Sequence, residues 1–262
     1  MSARAVTSLT NATVKAVRAL HLRKEREESG LFLAEGLKII TEAVELGHAP
    51  RTLLHGPDAG HPLLGKAIAA TEAAGGEVIE VTREILEKIS RRDNPQMVIG
   101  VFAQLYTPLQ ALEPESAACW VALDRVRDPG NLGTVIRTAD AAGCGGVILV
   151  GECCDPYSVE AVRATMGSVF AVKIARADAA EFLAWRKAWP GSVVGTLLSA
   201  TTDYRAADYR RPAMVVMGNE QAGLPPDLAA ACDVAVKIPM RGRADSLNLS
   251  VATGIMIYAA TG

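Results

Sequence analysis

Short apolar runs recur through the second half of the chain, each separated from the next by a stretch of helical periodicity. The runs are 120–123, 147–150, 193–198, 214–217 and 234–238, rich in valine and isoleucine and too short for buried helices. Strands covered on both faces read in this way, without the polar alternation of a half-exposed sheet. Between them, 132–142, 177–188, 224–231 and 247–260 carry helical patterns. The alternation predicts an α/β domain with a parallel sheet covered by helices.

The first half alternates more loosely. The pattern predicts a charged helix over 15–28, a short strand over 31–34, and an amphipathic helix over 36–46 ended by Gly47. Further on come a helix over 63–74, a strand over 77–81, a helix over 83–90 and a β-branched run over 97–105. Pro108 and Pro114 then fall in a stretch with little apolar periodicity, the texture of an exposed connection. The chain therefore reads as a smaller α/β domain over 1–105, a linker over 106–116 and a larger α/β domain over 117–262.

Composition narrows the function classes. A chain of 262 residues, half of them hydrophobic, can bury a substantial core, while a net charge of −2 gives no overall basic field, so any nucleic-acid contact has to be a local patch. No apolar run approaches the roughly 20 residues of a membrane span, and the first residues lack the apolar centre of a secretory signal. Five cysteines without CxxC spacing suggest neither a disulfide framework nor a zinc site. A cytoplasmic location is expected. No metal is expected either, because His21, His48, His55 and His61 stand singly.

Two glycine-containing segments imitate nucleotide motifs. Gly60 to Lys66 has P-loop spacing, but Ala67 replaces the hydroxyl that would hold magnesium. Gly143, Gly145 and Gly146 follow a helix and precede a strand, the reverse of a dinucleotide fingerprint, and read as a helix stop.

Three other segments share one habit, a buried strand running into a polar or glycine-rich turn and then a helix. The first runs from Asp124 through Asp128-Pro129-Gly130-Asn131 to Arg137. Asn131 there either caps the helix or meets a ligand, and Arg137 is either a surface residue or part of a site. The second is Val215-Val-Met217-Gly218-Asn219-Glu220-Gln221-Ala222-Gly223-Leu224-Pro225-Pro226. Its glycines allow a close backbone approach, and Glu220 faces either water or a ligand. In the third, Ile238 to Val251, Asp245 or Ser246 is expected to cap the last helix. Three such exits from a parallel sheet suggest one crevice at the C-terminal ends of its strands.

In this order, the three segments resemble the three motifs of the SpoU (TrmH) family of RNA ribose methyltransferases, of the SPOUT class. The stretch Asn11 to Lys15, continued through Gly30-Leu-Phe32-Leu-Ala-Glu35-Gly36, resembles the family's L30e/L7Ae-like substrate-binding domain, so the likeness covers nearly the whole chain. Arg163-Ala-Thr165-Met-Gly167-Ser168 resembles a further family element, with Thr165 where serine is usual; Gln221 stands where many members carry glycine.

The resemblance implies a trefoil-knotted C-terminal domain, a homodimer, and S-adenosyl-L-methionine as methyl donor. The cofactor would be held largely by backbone at Gly218, Ile238 and Leu247, with Thr196 beside its adenosine. It also implies a polar cage of Asn131, Glu220, Ser246 and Asn248, and assigns Arg137 the role of proton acceptor. A guanidinium is not deprotonated in proteins, so Arg137 is read instead as the group that orients the target phosphate and stabilises the developing alkoxide. The ribosomal-protein-like first domain favours ribosomal RNA, that of the large subunit (23S) first. Transfer RNA as substrate, methylation of a base, and a non-catalytic knotted RNA-binding protein in ribosome assembly stay open, whereas a nucleotide-dependent oxidoreductase lacks its fingerprint. Lys15, Arg18, Arg23, Lys24 and Arg26 form the candidate RNA contact; the alternative is a solvated helix face paired internally with Glu25, Glu27 and Glu28.

Overall fold

The computed structural model describes residues 4–57 and 61–262. It separates into two compact units: one runs up to Gln104 and also takes in Tyr157–Phe170, and the other comprises Leu105–Pro156 and Ala171–Gly262. The break at Gln104 falls at the end of the first domain expected from sequence, and Tyr157–Phe170 groups with that first unit.

In the first unit, β1 (Arg4–Val6) precedes α1 (Ala12–Ala19) and α2 (Arg23–Ser29), followed by β2 (Leu31–Glu35), α3 (Leu37–Glu45) and β3 (Thr52–His55). The rest is α4 (Pro62–Ala73), β4 (Glu77–Val81), α5 (Arg83–Ser90) and β5 (Val98–Ala103). The expected helix over 15–28 is two helices. α1 starts where the Asn11 side chain accepts from the Thr13 amide at 2.9 Å, an N-cap of about 1 kcal/mol, and α2 restarts after a turn at Leu20–Leu22 stabilised by the Leu22 amide donating to Ala19 O. The sheet is mixed, in the order β1-β4-β3-β5-β2, with β5 antiparallel to both β2 and β3. Gly65 and Lys66 lie inside α4, so their amides cannot cradle a phosphate; Gly60 is outside the described residues.

The late segment forms α7 (Val159–Thr165). Its Arg163 guanidinium donates to both oxygens of Glu35, at 2.9 and 2.8 Å, and to the Ser90 carbonyl at 3.0 Å. Glu35 is almost fully buried, so this pair replaces the water that its carboxylate lost. Thr165, also buried, donates its hydroxyl to Val162 O and accepts from the Gly167 amide. Its hydroxyl shapes the turn whether serine or threonine stands there. Gly167 has φ +107°, and a Cβ on it would collide with the Glu42 carboxylate.

The second unit is a seven-stranded sheet, parallel throughout. It begins with β6 (Cys119–Asp124), α6 (Pro129–Ala141) and β7 (Gly146–Val150), and after α7 resumes with β8 (Lys173–Ala177) and α8 (Ala179–Arg186). Next come β9 (Val193–Thr196), the short β10 (Thr202–Asp203), β11 (Ala213–Met217), α9 (Pro226–Ala230), β12 (Val234–Lys237) and α10 (Leu249–Thr261). Strand order is β10-β12-β9-β11-β6-β7-β8. The chain therefore moves outward from β6 to β8 and restarts on the other side at β9, and such a reversal leaves a crevice beyond the strand ends. Every residue of β6, β7 and β11 is buried, as the apolar runs predict. Gly143, with φ +67°, stops α6. No helix of the described residues is long and apolar enough to cross a membrane.

Candidate active site

The strand exits of β6, β9, β11 and β12 meet in a crevice of about 640 Å³, within the range of small-molecule sites. Its lining includes Thr196, Gly218, Ile238 and Leu247, the residues expected to hold a cofactor, and Asn131, Glu220, Ser246 and Asn248 from the expected polar cage. Arg137 is not among them. It is exposed on α6, six residues beyond Asn131, which puts it about 9 Å further along the helix and on another face.

The three polar segments are joined by side chains. Asn248 Nδ2 donates to Asn131 Oδ1 at 2.9 Å, and Asn131 Nδ2 donates to Glu220 Oε1 at 3.4 Å. One amide of Asn131 thus links the exits of β6, β11 and β12. It is free to do so because Asp128, not Asn131, caps α6, accepting from the Asn131 amide at 2.6 Å. At α10 the cap is Asn248 rather than Asp245 or Ser246: its Oδ1 accepts from the amides of Ser250 and Val251 and from the Ser250 hydroxyl.

The loop after β11 is held by a residue that the sequence reading left without a role. Asn219 Nδ2 donates to the Arg125 carbonyl at 2.8 Å, and its Oδ1 accepts from the amides of Gln221 and Ala222. Asn219 and Gly223 also exchange backbone hydrogen bonds. The signal was an asparagine two residues past a buried strand, where side-chain turns of this kind form. Gly218 packs so closely on the backbone of Gly223 and Leu224 that a Cβ has no room. Gln221 lies on the exposed turn of this loop, where its side chain is accommodated.

Several features suit a large, partly apolar cofactor. The Thr196 hydroxyl is buried without a hydrogen-bond partner, at the edge of the crevice, so a polar ligand atom would satisfy it. Leu198 and Leu247 are exposed hydrophobics on the lining and offer apolar surface to a flat ring. Outside the crevice lining, burial, with the carboxylates of Glu220, Asp128 and Asp155 nearby, pushes the Cys154 thiol up to about 12, so it stays protonated at neutral pH.

Fold and crevice define a parallel α/β protein with an open crevice at the sheet's switch point, rimmed by an amide-carboxylate chain. Residues 118–258 match the SpoU rRNA methylase family and residues 11–100 match an MRM3-like substrate-binding domain. The chain belongs to the SpoU rRNA methylase family. It superposes on the crystal structure of an AdoMet-bound rRNA methyltransferase from Sinorhizobium meliloti with a TM-score of 0.93 at 53% identity, covering 98% of this chain and 97% of that one. Among curated proteins it is 33% identical to a 23S rRNA (uridine(2479)-2′-O)-methyltransferase of Streptomyces viridochromogenes, over 91% of this chain and 85% of the relative. It is also 29% identical to a 23S rRNA (guanosine(2553)-2′-O)-methyltransferase of Bacillus subtilis, over 97% of both chains.

Proposed function

We propose that this protein transfers a methyl group from S-adenosylmethionine to a ribose 2′-hydroxyl of 23S ribosomal RNA, in the cytoplasm where ribosomes are assembled. The observation that carries this reading is the Glu220–Asn131–Asn248 chain at the rim of the cofactor-sized crevice. It unites all three motif segments around one opening.

In this reading Gly218, Ile238 and Leu247 hold the cofactor through backbone, and the Thr196 hydroxyl gains the partner it lacks. Bound there, the cofactor supplies an electrophilic methyl on a sulfonium. The protein's task is to bring a weakly acidic hydroxyl into line with that methyl. Alignment is worth effective molarities of about 10⁵–10⁸ M, against roughly 10²–10⁴-fold for a positioned base, so positioning dominates. Asn131 and Asn248 present amides to the ribose, while Glu220 and Ser246 supply an acceptor and a hydroxyl at the rim. Arg137 orients the phosphate next to the target and offsets charge developing on the oxygen.

Because Arg137 stands away from the crevice of its own chain, we place it at a homodimer interface. A groove of about 460 Å³ between α6 and α10 is lined by Thr138, Val251, Gly254, Ile255 and Tyr258, and Val251 and Tyr258 are 51% and 58% exposed. Apolar surface of this kind on two adjacent helices supports a second copy docking there. Arg137 lies one turn from Thr134 and next to Thr138 on this side of α6, so docking directs it towards the partner's crevice. The return of α10 from β12 onto α6, β6 and β11 supports the trefoil knot that the family resemblance implies.

The test is transfer of labelled methyl from adenosylmethionine to ribosomal and transfer RNA from cells lacking the protein, followed by mapping of the modified nucleoside. A 2′-O-methyl nucleoside in 23S rRNA is expected. Label confined to transfer RNA would overturn the substrate, and label on a base would overturn the chemistry.

A further inference from the structure

The charged stretch that follows Asn11 does not act as one surface. Arg23 pairs with Glu27 at 2.7 Å, and Lys24 with Glu28 at 3.7 Å. Arg26 is buried, with a guanidinium nitrogen donating to the Leu20 carbonyl at 2.8 Å. These three positions are occupied by internal contacts, as the helix-face alternative anticipates.

Lys15 and Arg18 differ. They stand three residues apart on exposed positions of α1, flanking the buried face of Val14 and Val17. α1 packs on α5, whose C-terminal end brings Lys88 and Arg91 to the same place. With His21 and Ala19 these four cations line a concavity of about 250 Å³ that has no acidic side chain in its wall. At roughly 30 Å³ per water, it has room for a phosphate with bound water. Among the described residues none of the four forms an ion pair. Arg83, also on α5, pairs with Glu87, so neutralising carboxylates are at hand on that helix but not in this wall.

Two carbonyls at the end of α5, which would otherwise repel an anion, are already engaged. His21 Nε2 donates to the Ile89 carbonyl at 2.6 Å, and Arg163 to that of Ser90. Burial lowers the His21 pKa, so at neutral pH the positive charge of the pocket comes from the lysines and arginines. Four unpaired cations in one concavity repel each other in the free protein, and an anion removes that repulsion.

We propose that the pocket formed by Lys15, Arg18, Lys88 and Arg91 is a docking site for a backbone phosphate of the substrate RNA, and that Arg23, Lys24 and Arg26 take no part in it. This rests on the reading of the chain as an RNA methyltransferase. Phosphate contacts fix register without reading sequence. The pocket would hold the RNA at a set point while the target ribose enters the catalytic crevice.

The experiment is titration of the full-length protein with in vitro transcribed bacterial 23S rRNA across a range of KCl concentrations. Two variants with the same charge loss are compared, Lys15→Gln/Lys88→Gln and Arg23→Gln/Lys24→Gln. All four positions are exposed on helix surfaces, and urea unfolding followed by far-UV circular dichroism checks that each variant is folded in both units. The pocket variant is expected to lose about 1.4–1.8 from the magnitude of the log K against log salt slope, two contacts at roughly 0.7–0.9 each, and the other variant to keep the wild-type slope. Equal slopes, or an equal loss in both variants, would overturn the site even with methyl transfer intact. Conversely, a slope difference in a protein that transfers no methyl to RNA would sink the methyltransferase reading and leave the phosphate site standing.

Discussion

Asn248 does two things with one amide: its oxygen caps α10 while its nitrogen reaches Asn131. Asn248→Asp separates them. The carboxylate still caps, and its charge suits a helix N-terminus, so thermal stability should stay near wild type. The donor to Asn131 is lost, however, and a negative charge joins a network that already contains Glu220. A loss of about 1–3 kcal/mol corresponds to methyl transfer slowed roughly 5- to 150-fold; unchanged transfer in a single-turnover assay would show that the chain of amides is only structural. Gly218→Ala should weaken adenosylmethionine binding, measured calorimetrically, because a Cβ displaces the backbone of Gly223 and Leu224. At this scale the sequence indicated which residue types would gather, since eight of the nine expected catalytic and cofactor residues line one crevice. It did not reveal which asparagine caps and which connects. Asp128, Asn131, Ser246 and Asn248 all satisfy the same cap preference, and only the loop geometry chooses between them.

At the scale of elements, the strands most legible in the sequence were the central ones of the second sheet, whereas the four-residue β3 of the first, although buried, was not read. β6, β7 and β11 lie inside the sheet and must be apolar on both faces. β8 is an edge strand of that sheet, and its Lys173 and Arg176 break the apolar run, so the pattern there merged into the following helix. α7 went unread for a different reason. It is short, and its partners Glu35 and Ser90 are distant in sequence, so what makes it an element is a tertiary ion pair that no local periodicity records. Arg163→Met should therefore destabilise the first unit more than its length suggests. Removing one partner from a buried pair costs about 3–5 kcal/mol, and the low end applies because Arg163 is 26% exposed. Urea unfolding checks this. The double variant Arg163→Met/Glu35→Leu should recover much of the loss, since the stranded carboxylate is then gone.

For the whole molecule, the informative residue is the one the structure leaves outside the crevice. Periodicity places Arg137 on α6 but cannot say whose site it serves, because a single sequence carries no record of a second copy. The exposed Val251 and Tyr258 beside it supply the reason for placing it across an interface. Two predictions test the residue, the first what its side chain does and the second whose site it serves. Arg137→Lys keeps the charge but loses the planar fork, so its methyl transfer should fall nearly as far as that of Arg137→Ala; an almost unimpaired lysine variant would reduce the role to a point charge. The second uses mixed dimers. Arg137→Ala and Glu220→Gln should each be nearly inactive alone, yet when the two are unfolded together and refolded as an equal mixture, half of the dimers are hybrid on statistical grounds. If Arg137 acts across the interface, each hybrid contains one doubly damaged site and one intact site, and about a quarter of wild-type activity per protomer returns. If it acts within its own chain, every site in the mixture carries one defect and nothing returns. Substituting Tyr258→Glu, which puts a charge into the apolar groove, should abolish the recovery by keeping the chains apart, with the change to monomer read by analytical ultracentrifugation.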